Sequence, residues 1–201
     1  MRMVVKIGTS TLAHTTGRLN IQRMEKLCKV LSDLKNAGHE IILVSSGAIG
    51  MGVGKLSLTE RPKDMPTKQA AAAVGQGELM YIYDKLFTEY NHIVAQMLIT
   101  APDLTDDGCR KSNFHNTLER LLQLPIINEN DTVSTDEIVI GDNDTLSAEV
   151  AATVSAELLI LLSDIDGLYD SDPHKNAQAK LIDEVTDIDD GILALAGGEG
   201  S

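Results

Sequence analysis

The sequence has 201 residues, of which 43% are apolar and 3% aromatic, and it contains no tryptophan. This length and apolar content suffice for an α/β domain with a buried core, and they exclude a disordered chain. The chain carries 17 lysines and arginines against 30 aspartates and glutamates, a formal net charge of −13. So acidic a balance, with so few aromatic rings, argues against a nucleic-acid partner and against docking on anionic membranes.

Two further features favour a soluble, cytoplasmic protein. Residues 1–6 lead straight into an apolar strand, with no secretory leader, and no apolar run is long enough to span a bilayer. The two cysteines, Cys28 and Cys109, are far apart and lack the spacing of a zinc site or a disulfide framework. We expect both to be reduced and mostly buried thiols.

Short apolar runs alternate along the chain with longer segments of helical periodicity. Strands are predicted over residues 3–7, 40–44, 93–99, 125–127 and 158–162, each apolar enough to be buried on both faces as parallel strands are. Helices are predicted over residues 21–36, 68–90, 111–122 and 145–155. In the first helix an apolar stripe starts at Ile21, and Gly38 follows its end. This order predicts βαβ units, a mainly parallel sheet and one domain.

Ligands of such sheets bind where strands end and loops begin, so we expect the functional residues in those loops. Lys6 stands near the end of the first strand and needs an anionic partner if it is buried. Gly8 follows, where the backbone either approaches another group closely or takes a positive φ. A lysine that reaches into solvent, followed by an ordinary turn, is the alternative.

The second strand leads into the small residues LVSSGAIGMGVG at positions 43–54. Such a segment, followed by a helix, predicts a nest of backbone N–H groups that binds an anion. It is not a GxGxxG motif, because position 55 is lysine. It is not a P-loop either, because Ile49 stands where that motif requires glycine.

Carboxylates and amides cluster at residues 126–133 and 140–147, with a hairpin predicted over 133–140 between them. They can orient a lysine, hold a metal or bind an ammonium group. The alternatives are solvated loops, with Asp144 as the cap of a helix that starts at Thr145. At residues 161–173, LLSDIDGLYDSDP, a hydroxyl and a carboxylate would suit the ribose or adenine side of a nucleotide, although a plain turn explains them equally well.

Together these segments closely resemble the amino acid kinase family. The resemblance rests on VVKIGTSTL, SSGAIGMG, KQAAAAVGQ, QMLIT, PIINENDTV, GDNDTLSA and LLSDIDGLYDSDP. The INEND and GDND segments, with AAVGQ upstream, resemble the branch that phosphorylates glutamate rather than aspartokinase, acetylglutamate kinase or UMP kinase. The fold implied is a three-layer αβα sandwich around a mainly parallel sheet.

The resemblance implies transfer of a phosphoryl group from ATP, with Mg²⁺ on its phosphates, to the γ-carboxylate of L-glutamate, the first step of proline synthesis. Lys6 matches the lysine that stabilises the transferring group, and Asp144 matches the carboxylate that holds catalytic lysines in place. The other positions on the nucleotide side are Gly8, Thr9, Ser163 and Asp164. The positions on the glutamate side are Ser46, Gly47, Asn128, Asp131 and Asn143.

The resemblance also implies proline as a feedback inhibitor and a homodimer or homotetramer. The sequence ends with AGGEGS at residues 196–201, where the family carries a GTGGMxTK stretch with a further lysine for the phosphates. No part of the PUA domain found in some relatives is present. We therefore expect the front part of a kinase domain over residues 1–201. The alternatives are a fragment that binds glutamate or proline without turnover, and a related carboxylate kinase.

Overall fold

The structure is a computed structural model that describes residues 1–14, 18–105, 108–121, 124–134 and 143–196. The hairpin predicted over 133–140 lies largely outside these residues. Contacts divide the chain into two compact units, Met1–Leu162 and Ser163–Ser201. The first unit contains the sheet and the helices that pack on it. The second contains an isolated bridge between Tyr169 and Leu181 and a short helix at Asp190–Ala196.

The described residues of the first unit form one parallel five-stranded sheet. Its strands are β1 (Arg2–Ile7), β2 (Glu40–Ser45), β3 (Val94–Ile99), β4 (Leu124–Glu129) and β5 (Leu158–Leu162). Their spatial order is β3-β4-β2-β1-β5. All five predicted strands are confirmed, with ends that differ by no more than two residues.

Parallel pairing places the carboxyl ends of the strands along one edge of the sheet. Ile7 pairs with Ser45 on one side and with Leu162 on the other, and Ile99 pairs with Glu129. The loops that carry the predicted site therefore leave the sheet at the same edge. After their first residue the inner strands β1, β2 and β4 are buried on both faces, as their apolar composition predicts, whereas the edge strands β3 and β5 keep exposed positions.

Helices cover both faces of the sheet. They are α1 (Thr9–Leu12), α2 (Ile21–Asn36), α3 (Ala48–Lys55), α4 (Met65–Thr88), α5 (Ala101–Thr105), α6 (Cys109–Arg120) and α7 (Asp144–Thr153), with α8 (Asp190–Ala196) in the second unit. One core cluster joins α2 and α4 to Val5, and another joins α6 and α7 to Val4. Consecutive strand residues point to opposite faces. The predicted three-layer αβα sandwich is therefore confirmed.

Helix α2 has the bounds that its sequence predicts. The Asn20 side chain accepts a hydrogen bond from the Arg23 N–H at 3.1 Å, and Gly38 takes a φ of +91° beyond the last turn. Ile21 is 62% exposed, so its predicted place in the packed stripe is wrong. The buried stripe starts one turn later, at Met24.

Helices α3 and α4 pack backbone against backbone through glycines. A Cβ atom on Gly52 would lie 1.8 Å from the Ala71 carbonyl oxygen, and one on Gly75 would lie 1.8 Å from the Ala48 carbonyl oxygen. No side chain fits at these distances, so both positions require glycine. The close approach fixes how deeply α4 lies against the loop that follows β2.

Other helices begin or end a few residues from their predicted bounds. Helix α4 begins three residues before position 68, because the Asp64 carboxylate accepts a hydrogen bond from the Thr67 N–H at 3.0 Å. Helix α6 covers residues 109–120 rather than 111–122. Helix α7 begins at Asp144, with Asn143 as its N-cap residue. The alternative in which Asp144 caps this helix is therefore wrong.

Candidate active site

Lys6 is buried near the end of β1 and forms an ion pair. Only 6% of its surface is exposed, and its Nζ lies 2.6 Å from Oδ1 of Asp144, the first residue of α7. A buried ammonium group requires such a partner, so the alternative of a lysine that reaches into solvent is wrong. The Asp144 side chain is 44% exposed. The structure thus brings together the two predicted catalytic residues where solvent reaches the carboxyl edge.

Gly8 and Thr9 follow β1 directly. The Gly8 N–H donates to the Leu162 carbonyl oxygen at 3.5 Å, and its φ of −80° shows that the suggested positive φ is wrong. A Cβ atom on Gly8 would lie 3.5 Å from the Lys6 Nζ. The absence of a side chain therefore leaves this side of the ammonium group uncovered. Thr9 is half-buried and begins α1.

Ser46 and Gly47 connect β2 to α3. Ser46 is buried, and its N–H donates to the Ile7 carbonyl oxygen at 3.1 Å. That N–H is therefore occupied and does not belong to the predicted anion-binding nest. Gly47 has a φ of +102°, which other residues adopt only at a cost of about 1 kcal/mol or more. This turn starts α3 immediately after the strand.

Two amide side chains join the end of β4 to the start of α7. Asn128 and Asn143 are 1% and 0% exposed. The Asn143 Nδ2 donates to the Asn128 Oδ1 at 2.8 Å and to the Ser45 carbonyl oxygen at 2.9 Å. The Asn128 Oδ1 also accepts from the Glu129 N–H at 2.9 Å. These amides are buried, so the alternative of solvated loops is wrong for them.

Two carboxylates lie buried at the end of β4. Glu129 and Asp131 are each 5% exposed, and each interacts with other groups of the protein. The turn around Asp131 is fixed by hydrogen bonds from the Asn130 N–H to the Ile99 carbonyl oxygen at 2.8 Å and from the Thr132 hydroxyl to the Asn130 Oδ1 at 2.5 Å. These bonds fix the backbone around Asp131, so its buried carboxylate lies close to the end of β4, three residues beyond Asn128.

Helix α4 supplies two polar groups that the sequence analysis did not identify. The Gln76 Oε1 accepts from the Asn128 Nδ2 at 2.8 Å, and the Tyr83 hydroxyl lies 2.8 Å from the Ser45 Oγ. Burial raises the pKa of Tyr83 far above its usual range, so this hydroxyl stays protonated. No sequence signal separated Gln76 from the other polar positions of this helix, because its role depends on the contact with Asn128 from another element.

Ser163 and Asp164 belong to the second unit. They follow β5 directly in the chain, and the Ser163 hydroxyl donates to the Asp164 Oδ1 at 3.3 Å. Both residues are exposed within the structure. Their predicted contribution to the nucleotide side stays a prediction.

The fold and the ion pair of Lys6 together indicate a class of protein. A parallel αβα sandwich with a buried lysine paired to a carboxylate at its carboxyl edge is suited to binding anions there. The profile of the amino acid kinase family matches residues 1–197. The chain belongs to that family.

The relatives with curated names share one more specific name within this family. The chain is 54% identical to the glutamate 5-kinase of Caldanaerobacter subterraneus subsp. tengcongensis, over 100% of this chain and 55% of that protein. It is 56% identical to the glutamate 5-kinase of Clostridium acetobutylicum, over 100% of this chain and 76% of that protein. The predicted resemblance is thereby confirmed, although the chain spans only about half the length of several of these relatives.

Solved structures support the fold. An isopentenyl phosphate kinase matches with a TM-score of 0.62 at 14% identity, over 98% of this chain and 84% of that one. The aspartate kinase from Synechocystis matches with a TM-score of 0.59 at 13% identity, over 91% of this chain and 32% of that one. At these identities the likeness concerns the architecture alone.

Two properties of the described residues bear on possible partners. None of the helices in the described ranges combines the length and apolar character that crossing a membrane demands. The same residues contain no group of three or more histidine, cysteine, aspartate or glutamate side chains arranged to hold a metal ion. A magnesium ion carried by ATP does not require such a group, because the phosphates and water supply most of its ligands.

Proposed function

We propose that this chain is the front part of a glutamate 5-kinase, which transfers the γ-phosphoryl group of ATP to the γ-carboxylate of L-glutamate and gives γ-glutamyl phosphate for proline biosynthesis. The observation that carries this proposal is the ion pair between the buried Lys6 and Asp144, 2.6 Å apart at the carboxyl edge of the sheet. It is supported by 52–56% identity to proteins named glutamate 5-kinase.

The reaction joins two anions, so it needs fixed positive charge where negative charge accumulates. A glutamate carboxylate oxygen forms a bond to the γ-phosphorus while the bond from that phosphorus to the leaving oxygen of ADP breaks. Lys6 would stabilise the transferring group, because Asp144 fixes its ammonium and burial limits screening by water. Gly8 leaves the ammonium open to phosphate oxygens, and the Thr9 hydroxyl would donate to them.

The glutamate side would be built by the loops that follow β2 and β4. Asp131 suits the α-ammonium group, because a fixed and buried carboxylate binds a cation strongly. Asn143 would contact the substrate next to it, with Asn128 as its support. Ser46 and Gly47 would complete the site at the start of α3.

Ser163 and Asp164 would contact the nucleotide from the chain that follows β5. Mg²⁺ would accompany ATP and neutralise charge on its phosphates. No residue of this chain is assigned to the metal.

We also propose proline as an inhibitor at or near the glutamate site, and a homodimer or homotetramer. We propose a cytoplasmic location as well, which the free thiols of Cys28 and Cys109 favour. The kinase domain would occupy residues 1–201.

The first experiment traps the acyl phosphate as a hydroxamate, with L-glutamate, ATP, Mg²⁺ and hydroxylamine. It uses this chain and a version extended to the length of its relatives. We expect hydroxamate from the extended protein and little from this chain, because the chain spans only about half the length of several relatives. Absence of hydroxamate from both proteins, when both are folded, would contradict the proposal. N-acetylglutamate and aspartate are the comparison substrates, and a preference for either would indicate a related carboxylate kinase.

Two lysine substitutions test the role proposed for Lys6 in phosphoryl transfer. Lys6→Ala in the extended protein should lower kcat by about 10²–10³-fold, because it removes a charge that acts on the transferring group. Glutamate binding should change by less than about threefold. Lys29→Ala, on the exposed face of α2, is the matched control and should leave both quantities unchanged. Equal losses of kcat and of glutamate affinity would contradict the role of Lys6.

A second candidate function is binding without turnover. Its support is that the chain spans about half the length of several relatives while containing every residue predicted for the glutamate side. Titration calorimetry of this chain with L-glutamate and with L-proline tests it. Heat from either ligand, without hydroxamate formation by the extended protein, would favour this candidate. The absence of heat from both would remove it.

A further inference from the structure

Gln76 is outside every predicted site position, yet buried hydrogen bonds join it to two of them. Its side chain on α4 is 8% exposed and accepts from the Asn128 Nδ2 at 2.8 Å. Asn128 in turn accepts from the Asn143 Nδ2 at 2.8 Å. Amides from α4, from β4 and from the N-cap of α7 thus form one continuous chain of hydrogen bonds.

Two backbone groups fix the orientation of these amides. The Glu129 N–H can only donate, so the Asn128 atom 2.9 Å from it must be the acceptor Oδ1. The Ser45 carbonyl can only accept, so the Asn143 atom 2.9 Å from it must be the donor Nδ2. The Asn128 Nδ2 is then left as a donor. It requires an acceptor at position 76, and the Gln76 Oε1 provides that acceptor.

This orientation leaves one acceptor without a partner at the other end of the hydrogen-bond series, on Asn143. The Asn143 Nδ2 uses both of its hydrogens, toward Asn128 and toward Ser45. The Asn143 Oδ1 is fully buried and accepts no hydrogen bond from the part of the chain that the structure describes. A buried acceptor without a partner is unfavourable, whereas an N–H group of a bound ligand would satisfy it.

We propose that Gln76 is a positioning residue for glutamate. By holding Asn128, it keeps the Asn143 Oδ1 directed toward the α-ammonium group of the substrate. The inference rests on the proposed function. The depth at which Gln76 lies is set by its neighbour Gly75, whose packing against the Ala48 carbonyl leaves no room for a side chain.

The test compares substitutions at position 76 in the extended protein. Gln76→Met removes the acceptor with little change in volume, and we expect the glutamate KM to rise about tenfold because the Asn128 donor loses its partner. The ATP KM should stay within about twofold. Gln76→Glu keeps an acceptor oxygen and should hold the glutamate KM within about threefold of the parent. Gln22→Met, at an exposed position of α2, is the matched control.

Each outcome separates a positioning role from a structural one. An unchanged glutamate KM in Gln76→Met overturns the inference and leaves the proposed function intact. Equal increases in the KM of ATP and glutamate, or an equal defect in Gln76→Glu, indicate general damage and also overturn it. Gln76→Asn is too short to keep the hydrogen bond and gives the same test where the methionine variant does not fold. A parent protein that neither phosphorylates nor binds glutamate refutes the proposed function itself.

Discussion

Replacing Gly75 with alanine should destabilise the protein, whereas the same change at Gly77, two residues further along α4, should stabilise it. A Cβ atom at position 75 would lie 1.8 Å from the Ala48 carbonyl oxygen and 2.3 Å from the Gly52 nitrogen. A Cβ atom at position 77 meets no atom within 4 Å. To restore ordinary contact, α3 and α4 would have to separate by roughly 1.5 Å at position 75.

The size of each effect follows from two opposing contributions. Alanine is favoured over glycine in a helix by about 1 kcal/mol, and this applies at both positions. Nothing opposes it at Gly77, so that variant should gain about 1 kcal/mol in the free energy of unfolding. At Gly75 the methyl group meets backbone atoms that cannot rotate away, at a cost of about 3 kcal/mol. The net loss for Gly75→Ala is then about 2 kcal/mol.

Urea unfolding followed by circular dichroism measures both variants against the parent chain. Because the denaturant slope should not change, the differences should appear in the midpoint. In thermal unfolding each kcal/mol corresponds to about 2–4 °C for a chain of this size. If Gly75→Ala unfolds at the same or a higher urea concentration than the parent, the close α3–α4 contact does not limit the size of the residue at position 75.

Three further predictions concern thiols, pH and backbone conformation. Burial raises the pKa of Cys28 to about 12, so only Cys109 should react with a thiol reagent in the native protein, and both should react in denaturant. Burial acts to raise the pKa of Asp103, but hydrogen bonds, including one from Arg110, outweigh it and the pKa is lowered. Asp103→Asn should therefore lower the free energy of unfolding at pH 7 by about 1 kcal/mol, and the difference should vanish as the pH falls from about 5 through that lowered pKa. Gly47→Ala should cost at least about 1 kcal/mol in urea unfolding, because φ is +102° there.

The sheet could be predicted from the sequence because its strands are nearly pure apolar runs. β1 and β5 illustrate this, since each reads as a strand without reference to its neighbours. The spatial order β3-β4-β2-β1-β5 could not be obtained in this way, because every run is apolar enough to be central. Cys109 shows the same limit, because it was expected to be buried and is exposed at the start of α6.

Parts of the site were also accessible from sequence. Lys6 and Asp144 were paired by the resemblance, and the structure places them in contact. The contribution of α4 was missed because its buried residues do not form a single apolar stripe. Alanines and a glycine are buried in this helix as well as Leu79 and Tyr83, so the sequence pattern does not show which face is packed. Gln76 therefore read as an ordinary helix position, and only the contact with Asn128 shows otherwise.

The hydrogen-bond geometry explains why so much of the site depends on α4. The end of β2 is anchored to α4 by the Tyr83 hydroxyl on the Ser45 Oγ, and the end of β4 is anchored to α4 by Gln76 on Asn128. Asn143 binds both strand ends at once, and Asp144 follows it in the chain and holds Lys6. Because the hydrogen bonds among Gln76, Asn128 and Asn143 are buried, a shift of α4 would reach the lysine through an unbroken series of contacts. The glycines between α3 and α4 thus set the position of the candidate catalytic charge as well as the packing of two helices.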